Sequence, residues 1–210
     1  MLSTLTSEQL LSIQQSHRFL QPLINDIKSL NMGINPSSRK IDLCKNRLQE
    51  CLLDAFWESF NMAPTSQEYD IIMNKPEHDG IMLLLILCPF QPPQNIHDHR
   101  TWAIIGNIKN EEISTEWRYP HSSSHQQPQD LIPAKTTRLG PGDALSIQPE
   151  TRHSISSGSP QHETAICLHL YGQDLRTTKR RIYLPKTNQS LPHPNDEFIC
   201  YESLFQAVSD

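Results

Sequence analysis

The chain has 210 residues, with 18 Lys and Arg against 23 Asp and Glu, for a formal net charge of −5. That length gives one domain, or one with a short appendage, and room for a real core; the acidity runs against a nucleic-acid partner, which calls for a basic stripe to neutralise phosphates. The longest apolar run, Ile81 to Leu87, has seven residues where a membrane span needs about 20, so no membrane partner is expected either.

Helical periodicity governs the first third. Thr6-Ser7-Glu8-Gln9 has the form of a capping box, with Thr6 as N-cap and Gln9 reaching back to it. Leu10, Ile13, His17, Leu20, Ile24, Ile27 and Leu30 then recur at steps of three and four, one face of a helix. Pro22 is expected to kink or divide it. After Met32-Gly33-Ile34-Asn35-Pro36, Ser37 or Ser38 caps a second helix carrying Ile41, Cys44, Leu48, Cys51, Leu52, Ala55, Phe56 and Phe60. Both apolar stripes are packing faces within the domain.

From Tyr69 the period shortens. Eight runs stand out: Tyr69–Met73, Ile81–Cys88, Trp102–Ile108, Ile113–Tyr119, Ala134–Leu139, Ala144–Ile147, Thr164–Tyr171 and Arg181–Leu184. Most are bounded by Pro, Gly, Asn or Asp, the pattern of strands joined by turns, and in series they imply an antiparallel sandwich or barrel. His121–Pro133 is expected as a long loop or hairpin tip, and Lys186–Asp196 as an extended segment over the surface. The resulting division is a helical segment over 1–65, a barrel over 66–185 and a C-terminal extension over 186–210.

Met1 to Thr6 has no cationic stretch leading into an apolar one. Cys44, Cys51, Cys88, Cys167 and Cys200 are odd in number and lack paired spacing, as reduced thiols do. A cytoplasmic protein is the expectation.

The ten histidines are the unusual feature of the composition, because imidazole is the side chain most used for metals and for proton transfer near neutrality. In Ile96-His97-Asp98-His99, residues two apart on a strand share a face, so His97 and His99 converge while Asp98 points away. Such a pair is either part of a metal site or two strand-edge histidines with ordinary hydrogen bonds. Further on come Gly140-Pro141-Gly142-Asp143, the run Ala144–Ile147, Pro149 and His153. This order of glycine turn, strand, proline and histidine is similar to the second half of the cupin metal-binding pattern, whose first half is a His-x-His with a glutamate a few residues on. The resemblance implies a mainly β fold, a double-stranded β-helix or jelly-roll barrel with an N-terminal helical segment, and a metal held by His97, His99 and His153. The glutamate is missing, since Arg100, Thr101, Trp102, Ala103 and Ile104 follow His99. Imidazole suits first-row metals such as iron, and three neutral ligands leave the full dipositive charge to attract an anionic co-ligand such as a thiolate.

Ile96-His97-Asp98-His99 followed by Trp102-Ala103-Ile104-Ile105-Gly106 resembles the first motif of the cysteine dioxygenase family, in its mercaptopropionate-type branch. Cys167-Leu168-His169-Leu170-Tyr171-Gly172 resembles that family's Ser-x-His-x-Tyr segment, and residues 167, 169 and 171 share one strand face. The resemblance spans Tyr69 to Leu184. It implies a non-haem iron(II) thiol dioxygenase whose partners are a small-molecule thiol and O2, acting as a monomer or weak homodimer. Tyr171 would set its hydroxyl beside the substrate and oxygen, with His169 holding that hydroxyl from behind; these two are the catalytic candidates. Arg180, Tyr69 and Cys167 are the substrate-binding candidates, Arg180 by stacking on the tyrosine or holding a carboxylate.

Three departures matter. Cys167 stands for the serine, Ala103 stands where animal enzymes carry the cysteine of a thioether crosslink, and Tyr69-Asp70-Ile71 stands where cysteine-specific enzymes have Tyr-x-Arg. No carboxylate anchor is visible, so the substrate stays open. A cupin metalloenzyme oxidising a non-thiol substrate and a non-catalytic metal- or ligand-binding cupin remain alternatives. The other histidines have plain expected roles: His17 in the helical core, and His78, His121, His125, His162 and His193 in solvated loops. Trp117 is expected in the core.

Overall fold

In a computed structural model, residues 5–60, 62, 65, 67–89, 93–120, 130–157, 164–185, 189–194 and 197–206 are described. His121, His125 and His162, and most of the loop expected before Pro133, lie outside them. Helix α1 (Ser7–Ser29) begins with the expected capping box: Gln9 N donates to Thr6 Oγ1 at 3.2 Å, and Thr6 N donates to Gln9 Oε1 at 2.8 Å. Pro22 does not divide it. The proline forgoes one backbone bond, while Ile13, Leu20, Leu23, Ile24 and Ile27 bury a continuous stripe across it, and tertiary packing of that kind dominates helix stability. The chain leaves the helix through Asn31, in the left-handed region at φ 45°. Helix α2 (Ser38–Leu52), with Ser37 as N-cap, buries Ile41, Cys44, Leu48 and Leu52 but stops short of the expected end. Ala55 and Phe56 belong instead to a separate 3-10 turn, Ala55–Glu58, because the Asp54 carboxylate accepts from Phe56 N at 2.8 Å and caps a new start.

The eight expected runs are all strands, with ends shifted by two residues at most. In chain order the strands are β1 (Tyr69–Ile72), β2 (Met82–Cys88), β3 (Ile96–His97), β4 (Ala103–Lys109), β5 (Glu112–Arg118), β6 (Ile132–Leu139), β7 (Ala144–Ile147), β8 (Arg152–Ser157), β9 (Ala165–Tyr171), β10 (Arg181–Leu184), β11 (Gln189–Pro192) and β12 (Ile199–Cys200). They form two six-stranded sheets, β12-β1-β2-β9-β4-β7 and β11-β10-β3-β8-β5-β6. From β2 to β9 the chain crosses between the sheets at every step but the β5–β6 hairpin, in the order of an eight-strand jelly roll, a double-stranded β-helix. The fold is therefore mainly β with an N-terminal helical segment, as expected. The C-terminal extension is not merely laid over the surface: β11 pairs antiparallel with β10, and β12 pairs parallel with β1.

Strand alternation sets what faces what. Leu83, Leu85 and Leu87 of β2, Ile104 and Ile108 of β4, and Ile166, Leu168 and Leu170 of β9 pack outward against the helices. Met82, Leu84, Ile86, Cys88, Ala103, Ile105, Ala165, Cys167 and Tyr171 belong to the opposite, barrel-lining row. Gly106 lets α2 approach: a Cβ there would lie 2.7 Å from Leu52 Cδ1 and 3.0 Å from Leu48 Cδ2. Trp117, expected in the core, is only partly buried on the outside of the second sheet, its indole donating to Ser154 Oγ at 3.0 Å. Among the described residues no helix is long and apolar enough to cross a membrane.

Candidate metal centre

His97, His99 and His153 come together, each buried, with their ligand atoms all within 4.8 Å of one another. His97 and His153 face each other directly across the β3–β8 pair. His99 is not on a strand, contrary to the two-residue spacing argument, since β3 ends at His97. Its convergence comes from a turn: Arg100 adopts a left-handed φ of 57° and donates its backbone N–H to Pro149 O at 3.2 Å. Asp98, between the two ligands, anchors the turn. Its fully buried carboxylate accepts from Tyr183 Oη at 2.6 Å and Arg181 N at 2.9 Å, and pairs with Arg100 Nε at 2.8 Å.

The ring nitrogens sort by partner. His97 Nδ1 donates to Asn95 O at 2.9 Å, and His153 Nδ1 lies 3.3 Å from Ser114 Oγ, so the ε2 nitrogens are the atoms that could hold a metal. His99 Nε2 sits 3.2 Å from His153 Nε2, while His99 Nδ1 is buried without a hydrogen bond among the described residues. Two lone pairs at that distance repel unless a proton or cation lies between them. Nitrogens each about 2.1 Å from a shared first-row ion, at angles of roughly 90–110°, stand roughly 3.0–3.4 Å apart. The observed separation fits a metal. Burial, and next the neighbouring His153, holds His99 well below the usual imidazole range; burial, and next His97, does the same for His153. Both are therefore neutral near pH 7, the form a metal takes up.

A cavity of about 420 Å³ opens over the triad, lined by His97, His99, Tyr171 and Arg180 among others. Tyr171 sets its ring edge to face against His99, with centroids 4.9 Å apart. Its hydroxyl lies 3.1 Å from His169 Nδ1. Behind His169 stands Glu112, which sequence reasoning missed: Glu112 Oε2 is 3.0 Å from His169 Nε2, and both side chains are buried. Cys167 lies deeper and does not line the cavity; its Sγ donates to Asn107 Oδ1 at 3.3 Å, and burial, with Glu112 next, pushes its thiol well up. Arg180 is buried to 8% exposure, lines the cavity and lies over the Phe198 ring. Tyr69 faces the helices with Ile71 and Met73, not the cavity; alternation along β1 brings Asp70 there instead. His193, expected in a solvated loop, lines the cavity with its ring 5.6 Å from His97. His17 is half-buried and stacks on Tyr201 at 3.7 Å.

No protein-family model matches the chain. Among solved structures it is similar to a cupin superfamily protein from Desulfitobacterium hafniense DCB-2, at 12% identity over 55% of this chain and 86% of that one, with a TM-score of 0.39. It is also similar to an RmlC-like cupin family protein with a double-stranded β-helix fold from Methanocaldococcus jannaschii, at 10% identity over 55% and 88%, TM-score 0.39. A third is hydroquinone 1,2-dioxygenase from Sphingomonas sp. TTNP3 with 4-hydroxybenzoate bound, at 8% identity over 56% and 71%, TM-score 0.37. What makes this chain a double-stranded β-helix is its own strand order.

Proposed function

We propose that the protein is an iron(II)-dependent thiol dioxygenase, converting a small thiol and O2 to the sulfinic acid, RSH + O2 → RSO2H. Both oxygen atoms end on sulfur, which loses four electrons as O2 gains four. The observation that carries this reading is three converging imidazoles, grouped without a carboxylate among the described residues, at the wall of a cavity that Tyr171 and His169 also serve. Iron(II) held by His97, His99 and His153 would supply one-electron chemistry toward O2 and a dipositive centre that draws a thiolate. The protein's own contribution is orientation: Tyr171 holds a substrate atom by hydrogen bond, His169 fixes that hydroxyl, and the apolar side chains of Leu84, Ile86 and Ile155 narrow the space open to water.

The test is oxygen uptake by anaerobically purified, iron(II)-loaded protein with cysteine, 3-mercaptopropionate, cysteamine and mercaptosuccinate. Uptake with one of these, with sulfinate formed in equal amount and both lost in His153→Ala, is the expected result. Tight iron binding with no uptake for any thiol overturns the thiol reading. Metal binding that survives loss of both His97 and His99 overturns the site.

A further inference from the structure

Strand β5 turns an unusual row inward. Glu112 and Ser114 are buried, at 3% and 1% exposure, whereas Ile113 between them is only partly so. Ser114 reaches the metal-site residue His153, and Glu112 reaches His169. A buried carboxylate is costly unless its oxygens are matched, and Glu112 is matched on one side only. Oε2 meets His169 Nε2 at 3.0 Å, whereas Oε1 is buried with no nitrogen or oxygen partner among the described residues, and the Cys167 thiol lies close to the carboxylate. A carboxylate kept at that cost, beside the cavity wall, points to a role for which an apolar residue cannot substitute.

That role follows from hydrogen-bond direction. An ionised carboxylate accepts and never donates, so against Glu112 in that form the proton of the pair resides on Nε2. A neutral imidazole carries one ring proton. In a neutral ring protonated at Nε2, Nδ1 is a bare acceptor, and the Tyr171 hydroxyl 3.1 Å away donates its only proton to it. The phenolic oxygen then has lone pairs, and no proton, to offer the cavity. A buried carboxylate orients the histidine of a serine-hydrolase triad by the same physics.

We propose that Glu112 is a positioning residue: it fixes His169 as the Nε2–H tautomer and so makes Tyr171 a hydrogen-bond acceptor toward the cavity. Whatever Tyr171 holds there must therefore be a donor, such as an ammonium N–H or a hydroxyl O–H. This last consequence rests on the proposed function, in which Tyr171 faces substrate; the tautomer does not.

Nitrogen NMR of the full chain labelled with 15N-histidine reads the tautomer directly, with zinc(II) in the metal site to keep the sample diamagnetic and again without metal. The His169 signals are identified by their absence in His169→Asn. The expected result is a protonated ε2 and an unprotonated δ1 nitrogen in the wild type. Tyr171→Phe should leave that pattern intact, and Glu112→Gln should abolish it by giving a mixture or the reverse tautomer. A wild-type His169 protonated at δ1, or at both nitrogens, overturns the proposal, as does an unchanged pattern in folded Glu112→Gln. The wild-type arm stands even if a variant fails to fold. A protein that oxidises no thiol but shows the Nε2–H tautomer loses the dioxygenase reading and keeps this one.

Discussion

The two sheets spend their faces differently. In the sheet built on β2, β9 and β4, nearly every residue is buried, because helices cover one face and the barrel interior lies on the other. In the sheet built on β3, β8 and β5, the outer face carries only a small cluster of Ile96, Leu131 and Tyr183 with Trp117 and Tyr119 against it, and β6 is largely exposed. Yet this lightly packed sheet supplies His97 and His153, with His99 just beyond β3. The heavily packed sheet supplies His169 and Tyr171. Cohesion and metal ligation are thereby divided, and a change in one sheet should spare what the other does.

The strongest way to break that division is to hollow out the packed sheet. Leu168 has no exposed surface and packs toward the helices, so Leu168→Ala should cost about 2–5 kcal/mol of stability. Urea unfolding measures the loss, and chelator competition on the folded variant should find zinc(II) affinity unchanged. Loss of metal binding under conditions where the variant is still folded would show the two sheets to be coupled.

The same contrast explains what was legible from the residues alone. Runs such as Ile81–Cys88 and Thr164–Tyr171 announce themselves because a strand buried on both faces is apolar throughout. β8 escaped because Arg152-His153-Ser154-Ile155-Ser156-Ser157 is small and polar, β11 and β12 escaped because two to four residues carry no period, and β3 was read as a strand only through its His-x-His, two residues too long. The three ligands were legible as a His-x-His and a histidine after a glycine turn. Glu112 was not: beside Glu111, which pairs with Arg138 at 2.7 Å on the surface, it looks like half of a charged turn. The usable signal was inverted alternation in Glu112-Ile113-Ser114, where the polar residues face inward. Tyr69 was misplaced for the converse reason, since the side of β1 that meets the cavity is fixed by helices far away in the chain.

A milder perturbation tests how the open sheet holds its ligands. Asp98 ties the ligand turn to β10 through Tyr183, Arg181 and Arg100. Asp98→Asn keeps the shape but weakens these bonds, for an expected loss of about 1–3 kcal/mol. Because the side chain sits between His97 and His99, zinc(II) affinity should also fall, by about tenfold, the scale of groups that orient metal ligands. Reduced stability with unaltered affinity would confine Asp98 to holding the sheet together.

The smallest effect is expected where the two sheets meet the substrate. Asp70 on β1 of the packed sheet and Glu68 just before it reach the cavity, and Arg180 reaches it from just before β10 of the open one. The charges are opposite, so their removal should move charged thiols in opposite directions. Asp70→Asn should raise KM for cysteamine relative to 3-mercaptopropionate, and Arg180→Met should do the reverse. Each shift should be about two- to fivefold, the scale of a partly solvated ion pair, and should shrink as added salt screens it. Shifts of the same sign for both thiols would mean that these side chains shape the wall and leave charge selection to other groups. Opposite shifts that persist in high salt would mean direct contact with the substrate head group, shielded from solvent, which is the arrangement an acceptor at Tyr171 favours for an ammonium.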